Sequence, residues 1–154
     1  MSDIRIRPAA ERDIEPLARL FDAYRQFYQQ PADEIRARQF IGQRMESNDA
    51  LLLVAENERR ELVGFCLLYP SFCSVLTEPI YLLYDLFVAP SARRNGVARA
   101  LLTAARQTAE RNGIARMDLS TARTNTEAQA LYESLGWKRD ETFFVYNLTI
   151  THAG

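Results

Sequence analysis

Several residue types that often build reactive or structural sites are scarce in this chain. Its 154 residues include two cysteines and one histidine. Cys66 and Cys73 lack CxxC spacing and have no histidine partner, so the sequence does not indicate a disulfide, a thiol nucleophile or a metal site. His152 stands near the end of the sequence, where we expect a frayed segment rather than a catalytic group.

Long hydrophobic runs are also absent. The longest apolar stretches, such as 51–55 and 80–83, have the length of strands and are far shorter than the ~20 residues that span a bilayer. The N-terminal residues MSDIRIRP carry charge where a signal peptide needs an apolar core. We therefore expect a cytoplasmic protein that has no membrane partner.

The charge is balanced overall, with 19 Lys and Arg against 20 Asp and Glu. A near-neutral chain without a basic stripe argues against a nucleic-acid partner. No acidic residue lies between Asp85 and Glu110, so positive potential is concentrated in that segment. The composition is otherwise ordinary for a globular protein and shows no linker, which predicts a single domain over residues 1–154.

Hydrophobic periodicity predicts alternating strands and helices. Asp13 is the expected N-cap of the first helix, and Ile35, Phe40, Ile41 and Met45 are the expected inward residues of the second. The predicted strands are Ile4–Arg7, Leu51–Glu56, Leu62–Tyr69, Ile80–Val88, Met117–Ser120 and Phe143–Ile150. The predicted helices span residues 13–31, 32–45, 97–112 and 127–135.

This order predicts a mixed α/β sheet rather than a regular βαβ alternation. A dinucleotide-binding domain would have a glycine-rich turn after its first strand, where this chain has Pro8, Ala9 and Ala10. The sequence also contains no P-loop pattern. Two common nucleotide-binding folds are thus excluded.

The stretch from Leu86 to Arg99 (LFVAPSARRNGVAR) combines a strand exit, a glycine and the start of a long helix. Gly96 lets the backbone approach a ligand closely, and the helix start offers unpaired N–H groups at the positive end of its dipole. Three arginines in this stretch add positive charge. The arrangement predicts a site for a phosphorylated ligand, although a solvated basic helix start has the same charge pattern.

Two motifs in this order resemble the GNAT superfamily of N-acetyltransferases. The first runs from Arg93 to Ala98 (RRNGVA), which matches the family's cofactor signature of Arg or Gln, two residues, Gly, one residue, then Gly or Ala. The second lies downstream and contains Asn125, Ala128, Leu131, Tyr132, Leu135, Gly136 and Trp137. The resemblance covers essentially the whole chain and implies a central, mostly antiparallel sheet flanked by helices.

The resemblance implies that acetyl-CoA is the acyl donor. Residues 93–99 are called the arginine loop. Backbone N–H groups from Arg94 to Arg99 would bind the pyrophosphate of the cofactor, and the strand before the loop would pair with its pantetheine arm. A bulge in that strand would aim an N–H at the thioester oxygen. The expected cofactor-binding residues are Leu86, Phe87, Val88, Arg93, Arg94, Asn95, Gly96, Val97, Ala98, Arg99, Asn125 and Tyr132.

Tyr132 is the general acid that the resemblance implies, since a phenol with a pKa near ~10 keeps its proton at neutral pH. A tyrosine beside Leu131 can equally be a core residue. Asn125 can bind the cofactor, cap the helix that follows it, or do both. Thr124 and Glu127 form a potential capping box at the same helix start.

Asp85 is the candidate general base, acting directly or through water. An aspartate within a strand can also order the neighbouring backbone, and both interpretations stay open. Glu78 is a second candidate on an expected loop. Neither cysteine lies in a motif that would indicate a covalent acetyl-enzyme. The expected mechanism is therefore direct transfer in a ternary complex.

The acceptor pocket is expected near Tyr28, Tyr84 and Asp85, where aromatic rings and a carboxylate suit a cationic amine. Phe27 is expected to pack in the core. Residues 84–88 (YDLFV) also resemble the diamine and polyamine N-acetyltransferases, which usually carry two acids where this chain has Tyr84 and Asp85. The expected acceptor is a small primary amine that is polyamine-like, diamine-like or amino-acid-like.

Two other functions remain open from the sequence. One is a protein or peptide N-acetyltransferase, and the other is a non-catalytic acyl-CoA-binding module, which would not need Tyr132. An exposed edge at the expected strand over residues 143–150 could also support a homodimer.

Overall fold

The computed structural model describes residues 3–153, which form two compact units divided after Ser120. The strands are β1 (Arg5–Pro8), β2 (Leu51–Glu56), β3 (Leu62–Cys73), β4 (Glu78–Val88) and β5 (Met117–Asp118). The helices are α1 (Ile14–Phe27), α2 (Glu34–Ser47), α3 (Val97–Arg111) and α4 (Thr126–Ser134), and short 3-10 turns occupy Glu11–Asp13 and Pro90–Ala92. Over these residues, no helix has the length and apolarity needed to cross a membrane.

The strands of the first unit form one five-stranded sheet in the order β1-β2-β3-β4-β5. Neighbours are antiparallel from β1 to β4, and β5 runs parallel to β4. This arrangement confirms the predicted mixed α/β fold with a mostly antiparallel sheet. Five strands and the first three helices begin and end within a few residues of their predicted limits, except that β3 extends to Cys73.

Helices cover both faces of this sheet. The core cluster on one face joins α1 and α2 to alternate residues of β2, β3 and β4, and contains Leu17, Ala18, Leu20, Phe21, Ala37, Ile41, Leu52, Val54, Phe65, Leu67 and Phe87. On the other face, α3 packs directly on Gly64 of β3. A Cβ added to Gly64 would lie 3.1 Å from Val97 Cγ1 and 3.3 Å from Leu101 Cδ1, so this close approach requires glycine.

A β-bulge interrupts the pairing of β3 with β4. Leu67 is opposite Asp85 and Leu68 is opposite Leu83, which leaves Tyr84 as the extra residue on β4. A bulge bends its strand and re-aims the side chains beside it. The bulge expected in this strand is therefore present, immediately before Asp85.

The first helix begins differently from the prediction. Asp13 is the residue before α1, but its side chain makes no capping bond to that helix. Asp13 Oδ2 instead accepts bonds from Arg7 Nη1 at 2.6 Å and from the Ala10 N–H at 2.7 Å. Arg7 Nη2 also bonds Glu56 at 2.8 Å. A buried ion-pair network, which the local sequence did not reveal, thus fixes the entry to α1.

The structure also differs from the prediction at Ile35 and over residues 143–150. Ile35 is 74% exposed, and Ala37 and Ile41 provide the buried contacts of α2 instead. The structure assigns no strand over residues 143–150, and the large apolar side chains of this segment are exposed. A strand needs a hydrogen-bonded neighbour, and the second unit contains no other strand over its described residues. A homodimer built on that edge stays a prediction.

Replacing Arg7 with Met should lower the free energy of unfolding by about 2 kcal/mol at neutral pH, because Asp13 would stay buried without its partner. Arg7 lowers the pKa of Asp13 in the folded protein. This stabilisation is therefore present above the ordinary pKa of an aspartate and is lost as the pH falls through the folded value. The difference in urea midpoint between the two proteins should accordingly narrow below about pH 4.

The control is Arg106→Met, which breaks the exposed pair of Arg106 with Glu110 and should change stability by no more than about 0.5 kcal/mol. Equal urea midpoints for wild type and Arg7→Met at pH 7 would contradict the role given to the network.

Candidate active site

The sheet brings the end of β4 next to the beginning of α3. Val88, the last residue of β4, is paired with Gly64, and the side chain of Val97, the first residue of α3, lies against the same glycine. The segment between β4 and α3 contains the 3-10 turn at Pro90–Ala92, in which the Ala92 N–H donates to the Ala89 carbonyl at 2.9 Å. Local packing thus positions the arginine loop at the end of the strand.

The loop presents a run of unpaired backbone donors. Among the described residues, no acceptor is found for the backbone N–H groups of residues 94–98. Arg94 and Gly96 both adopt left-handed backbone conformations, with φ values of 66° and 77°. These donors lie at the N-terminus of the 15-residue helix α3, whose dipole favours an anion there.

The space above the loop is open at Gly96. A Cβ added to this residue would meet no atom within 4 Å. Glycine is therefore not required here by protein packing. Its positive φ favours glycine, and the open space beside five unpaired donors fits the close approach of a phosphate group. The residues present thus fit the diphosphate of an acyl-CoA.

Arg93 is held by the protein itself. Its Nε donates to the Val88 carbonyl at 3.0 Å, and its guanidinium carbon lies 5.6 Å from the Phe87 ring centre and 5.9 Å from that of Phe27. Both distances are within the range of a cation–π contact. The Arg93 side chain therefore braces the loop against β4 and the end of α1.

The edge of β4 that faces β5 is open over its second half. β5 is paired with β4 only at Tyr81 and Leu82, whereas residues 85–88 are paired with β3 on the opposite side. Within the described part of this unit, Leu86, Phe87 and Val88 consequently have no strand on the β5 side. An extended ligand that carries amides can bind to such an edge as an added strand.

Asp85 follows the bulge and lies in a half-buried position. Its Oδ1 accepts a hydrogen bond of 2.7 Å from the hydroxyl of Tyr24. Burial raises the pKa of the Asp85 carboxyl, and the bond from Tyr24 opposes that rise. A carboxylate whose pKa is raised above the usual range is a better proton acceptor, as a general base requires.

Three aromatic side chains at the end of α1 and in β4 are exposed. Tyr28 is 54% exposed and Tyr84 is 69% exposed, and the Tyr84 ring lies 5.5 Å from that of Tyr69. Phe27 is 56% exposed, so the expectation that it packs in the core is wrong. It lies at the last position of α1 and covers the guanidinium of Arg93 instead.

Asn125 and Tyr132 belong to the second unit. Asn125 Oδ1 accepts a bond of 3.2 Å from the Ala128 N–H, so it caps α4. It performs this capping role in place of the potential box between Thr124 and Glu127. The Tyr132 ring lies 6.2 Å from the Trp137 ring, and its roles as cofactor ligand and general acid stay predictions.

The sequence did not reveal the partner of Asp85. Tyr24 has the helical spacing of a core residue, and it does contact the Phe65 and Phe87 rings at 5.5 and 5.6 Å. Its hydroxyl nevertheless reaches a carboxylate 61 positions further along the chain. Periodicity detects the packed ring but gives no signal for the hydrogen bond.

Comparison with protein families gives a match to the acetyltransferase (GNAT) family over residues 17–137. This range includes residues of both units and contains β4, the arginine loop and α4.

Individual proteins similar to the chain agree with that match. An uncharacterized N-acetyltransferase, YhfO, from Bacillus subtilis (strain 168) is 41% identical over 147 residues, covering 96% of this chain and 98% of the relative. A probable acetyltransferase from Haemophilus influenzae is 31% identical over 103 residues, covering 67% of this chain and 70% of the relative. The crystal structure of a probable acetyltransferase, 37% identical, superimposes with a TM-score of 0.90 and covers 97% of this chain and 99% of that one.

Proposed function

Because the chain belongs to the acetyltransferase (GNAT) family, we propose that it moves an acetyl group from acetyl-CoA to a primary amine of a small molecule. The proposed mechanism is direct transfer within a ternary complex. The single observation that carries this proposal is the row of unpaired N–H donors at residues 94–98, which adjoins the open edge of β4.

The donor site is proposed from these two surfaces. Acetyl-CoA would supply the acetyl group as a thioester. The N–H groups of residues 94–98 would bind its diphosphate, with Arg94, Asn95 and Arg99 adding charge or polar groups around it. Asn125 of the second unit stays a predicted cofactor residue. The open edge at Leu86, Phe87 and Val88 would bind the extended arm through main-chain hydrogen bonds.

Asp85 is proposed as the general base. An ammonium ion must lose a proton before its nitrogen can act as a nucleophile. Asp85 lies beside the open edge, it is half-buried, and its pKa is raised by burial. Its carboxylate would take that proton directly or through a water molecule, while the electron pair stays on nitrogen.

Tyr28 and Tyr84 are proposed as acceptor-binding residues. Both rings are more than half exposed, and an aromatic face attracts a cationic amine. Tyr84 is the bulged residue of β4, immediately before Asp85, which places an aromatic ring and a carboxylate at adjacent positions. A small amine with one reactive ammonium group fits this combination.

Replacing Gly96 with Val should abolish the rise in Tm that acetyl-CoA gives the wild-type protein, because the new side chain would occupy the open space above the loop. The matched control is Gly113→Val, at the other end of α3. Both glycines have a positive φ and no atom within 4 Å of an added Cβ, so both variants carry similar backbone strain. Only Gly96→Val should lose the response. An undiminished shift in Gly96→Val would refute the loop as the cofactor site.

Replacing Tyr132 with Phe should lower kcat by at least about tenfold and leave the Kd for acetyl-CoA within about twofold, because the variant cannot protonate the leaving sulfur. Stopped-flow turnover and calorimetric titration would measure the two quantities separately. Tyr146→Phe is the control, since this tyrosine of the same unit is 89% exposed. A kcat for Tyr132→Phe equal to that of wild type would remove Tyr132 from the mechanism.

A panel of acceptors tests the proposed substrate class, with free thiol as the readout. We expect kcat/KM for small primary amines, such as 1,4-diaminobutane, spermidine and free amino acids, to exceed that for peptides of matched N-terminal residue by at least about tenfold. Faster turnover of the peptides would show a protein or peptide N-acetyltransferase. Acetyl-CoA binding without turnover of any acceptor would instead show a binding module.

A further inference from the structure

Tyr24 connects α1 to the proposed base across the core face of the sheet. Its hydroxyl donates to Asp85 Oδ1 over 2.7 Å. Its ring is held by edge contacts with Phe65, Phe87 and Tyr28 at centre distances of 5.5, 5.6 and 5.1 Å. Packing on several sides of the ring restricts its rotation, so the direction of the hydroxyl group is fixed by the fold.

The hydrogen bond distinguishes the two oxygens of Asp85. Oδ1 is engaged by Tyr24. Oδ2 accepts no hydrogen bond from the described part of the chain, and the residue is half-buried. One oxygen is therefore engaged by the Tyr24 hydroxyl, while no donor from the described residues occupies the other.

We propose that Tyr24 is a positioning residue for the acetyl-transfer reaction, which orients the Asp85 carboxylate so that its Oδ2 receives the proton of the acceptor ammonium. This inference rests on the proposed function, in which Asp85 is the base. In the step itself, an N–H bond of the ammonium breaks, the proton binds Oδ2, and the electron pair remains on nitrogen for the attack on the acetyl group.

The groups around Asp85 leave its pKa sensitive to the hydrogen bond from Tyr24. The Tyr24 phenol from α1 bonds Asp85, Tyr69 of β3 packs on the same core face, and Tyr84 adjoins Asp85 on β4. The thiol of Cys66 on β3 interacts with the Asp85 charge. Burial and the Asp85 charge raise the pKa of Cys66 and raise that of Tyr69 to about 12. Both groups therefore stay neutral at physiological pH, and Tyr24 is the group whose hydrogen bond offsets the burial of Asp85.

The test is Tyr24→Phe, which keeps the packed ring and removes the hydroxyl. Without the hydrogen bond the pKa of Asp85 should rise, because a bond to the charged form no longer opposes burial. We expect the carbon-13 carboxyl titration of Asp85, assigned by comparison with Asp85→Asn, to move upward by about one pH unit. The acidic limb of the pH profile of kcat/KM should move to higher pH by the same amount. The acceptor is 1,4-diaminobutane or, if that amine is inert, the panel amine that is turned over fastest.

Tyr69→Phe is the matched control. It removes the hydroxyl of a neighbouring tyrosine that makes no hydrogen bond to Asp85 in the described structure, so neither titration should move. Equal melting temperatures for the two variants would show that a difference between them is not caused by unfolding.

The outcomes separate this inference from the proposed function. If Asp85→Asn abolishes the acidic limb but Tyr24→Phe leaves both titrations in place, Asp85 is the base and the positioning role of Tyr24 is refuted. If the carboxyl titration moves but the acidic limb does not, the bond has no catalytic role. If Asp85→Asn keeps the wild-type limb, or no amine is turned over, the proposed function fails and the inference falls with it.

Discussion

The pairing of β3 with β4 is the constraint on which the proposed site depends. Its register places Val88 beside Gly64, and the missing side chain of that glycine lets α3 approach the sheet. The same pairing contains the bulge at Tyr84, which re-aims the residues around Asp85. The helix start that favours an anion and the carboxylate proposed as the base are thus positioned by a single strand pair.

Sequence patterns predicted most of the first unit because its elements have a clear periodicity. The continuous apolar run of β2 reflects burial on both faces of the sheet, and the helical spacing in α1 and α3 reflects burial of one helix face. Ile35 shows where periodicity fails, since α2 presents Ala37 and Ile41 to the core and leaves the larger residue exposed. The expected strand over residues 143–150 shows a second limit, because β-propensity alone does not provide a hydrogen-bonded neighbour.

The site was predictable to the extent that it depends on backbone conformation. Gly96 and the helix start are local features, and the structure shows the unpaired N–H donors that they indicated, together with a left-handed conformation at Gly96. The bonds of Asp85 to Tyr24 and of Arg7 to Glu56 were not predictable, because these partners lie far apart in sequence. Asp13 is instructive, since a helix-capping pattern concealed an ion pair with a strand residue. Long-range polar contacts leave no periodic signal.

The stacking of Arg93 on Phe27 and Phe87 has a consequence for how such a chain can diversify. Phe27 ends the helix that leads toward the proposed acceptor residues, whereas Arg93 begins the loop proposed for the donor. A related protein that gains a new acceptor through changes at the end of α1 must still place a ring over that guanidinium. Otherwise the donor loop loses a contact that holds it against α1. Mutational tolerance at position 27 is therefore linked to that at position 93, and the two positions are expected to change together.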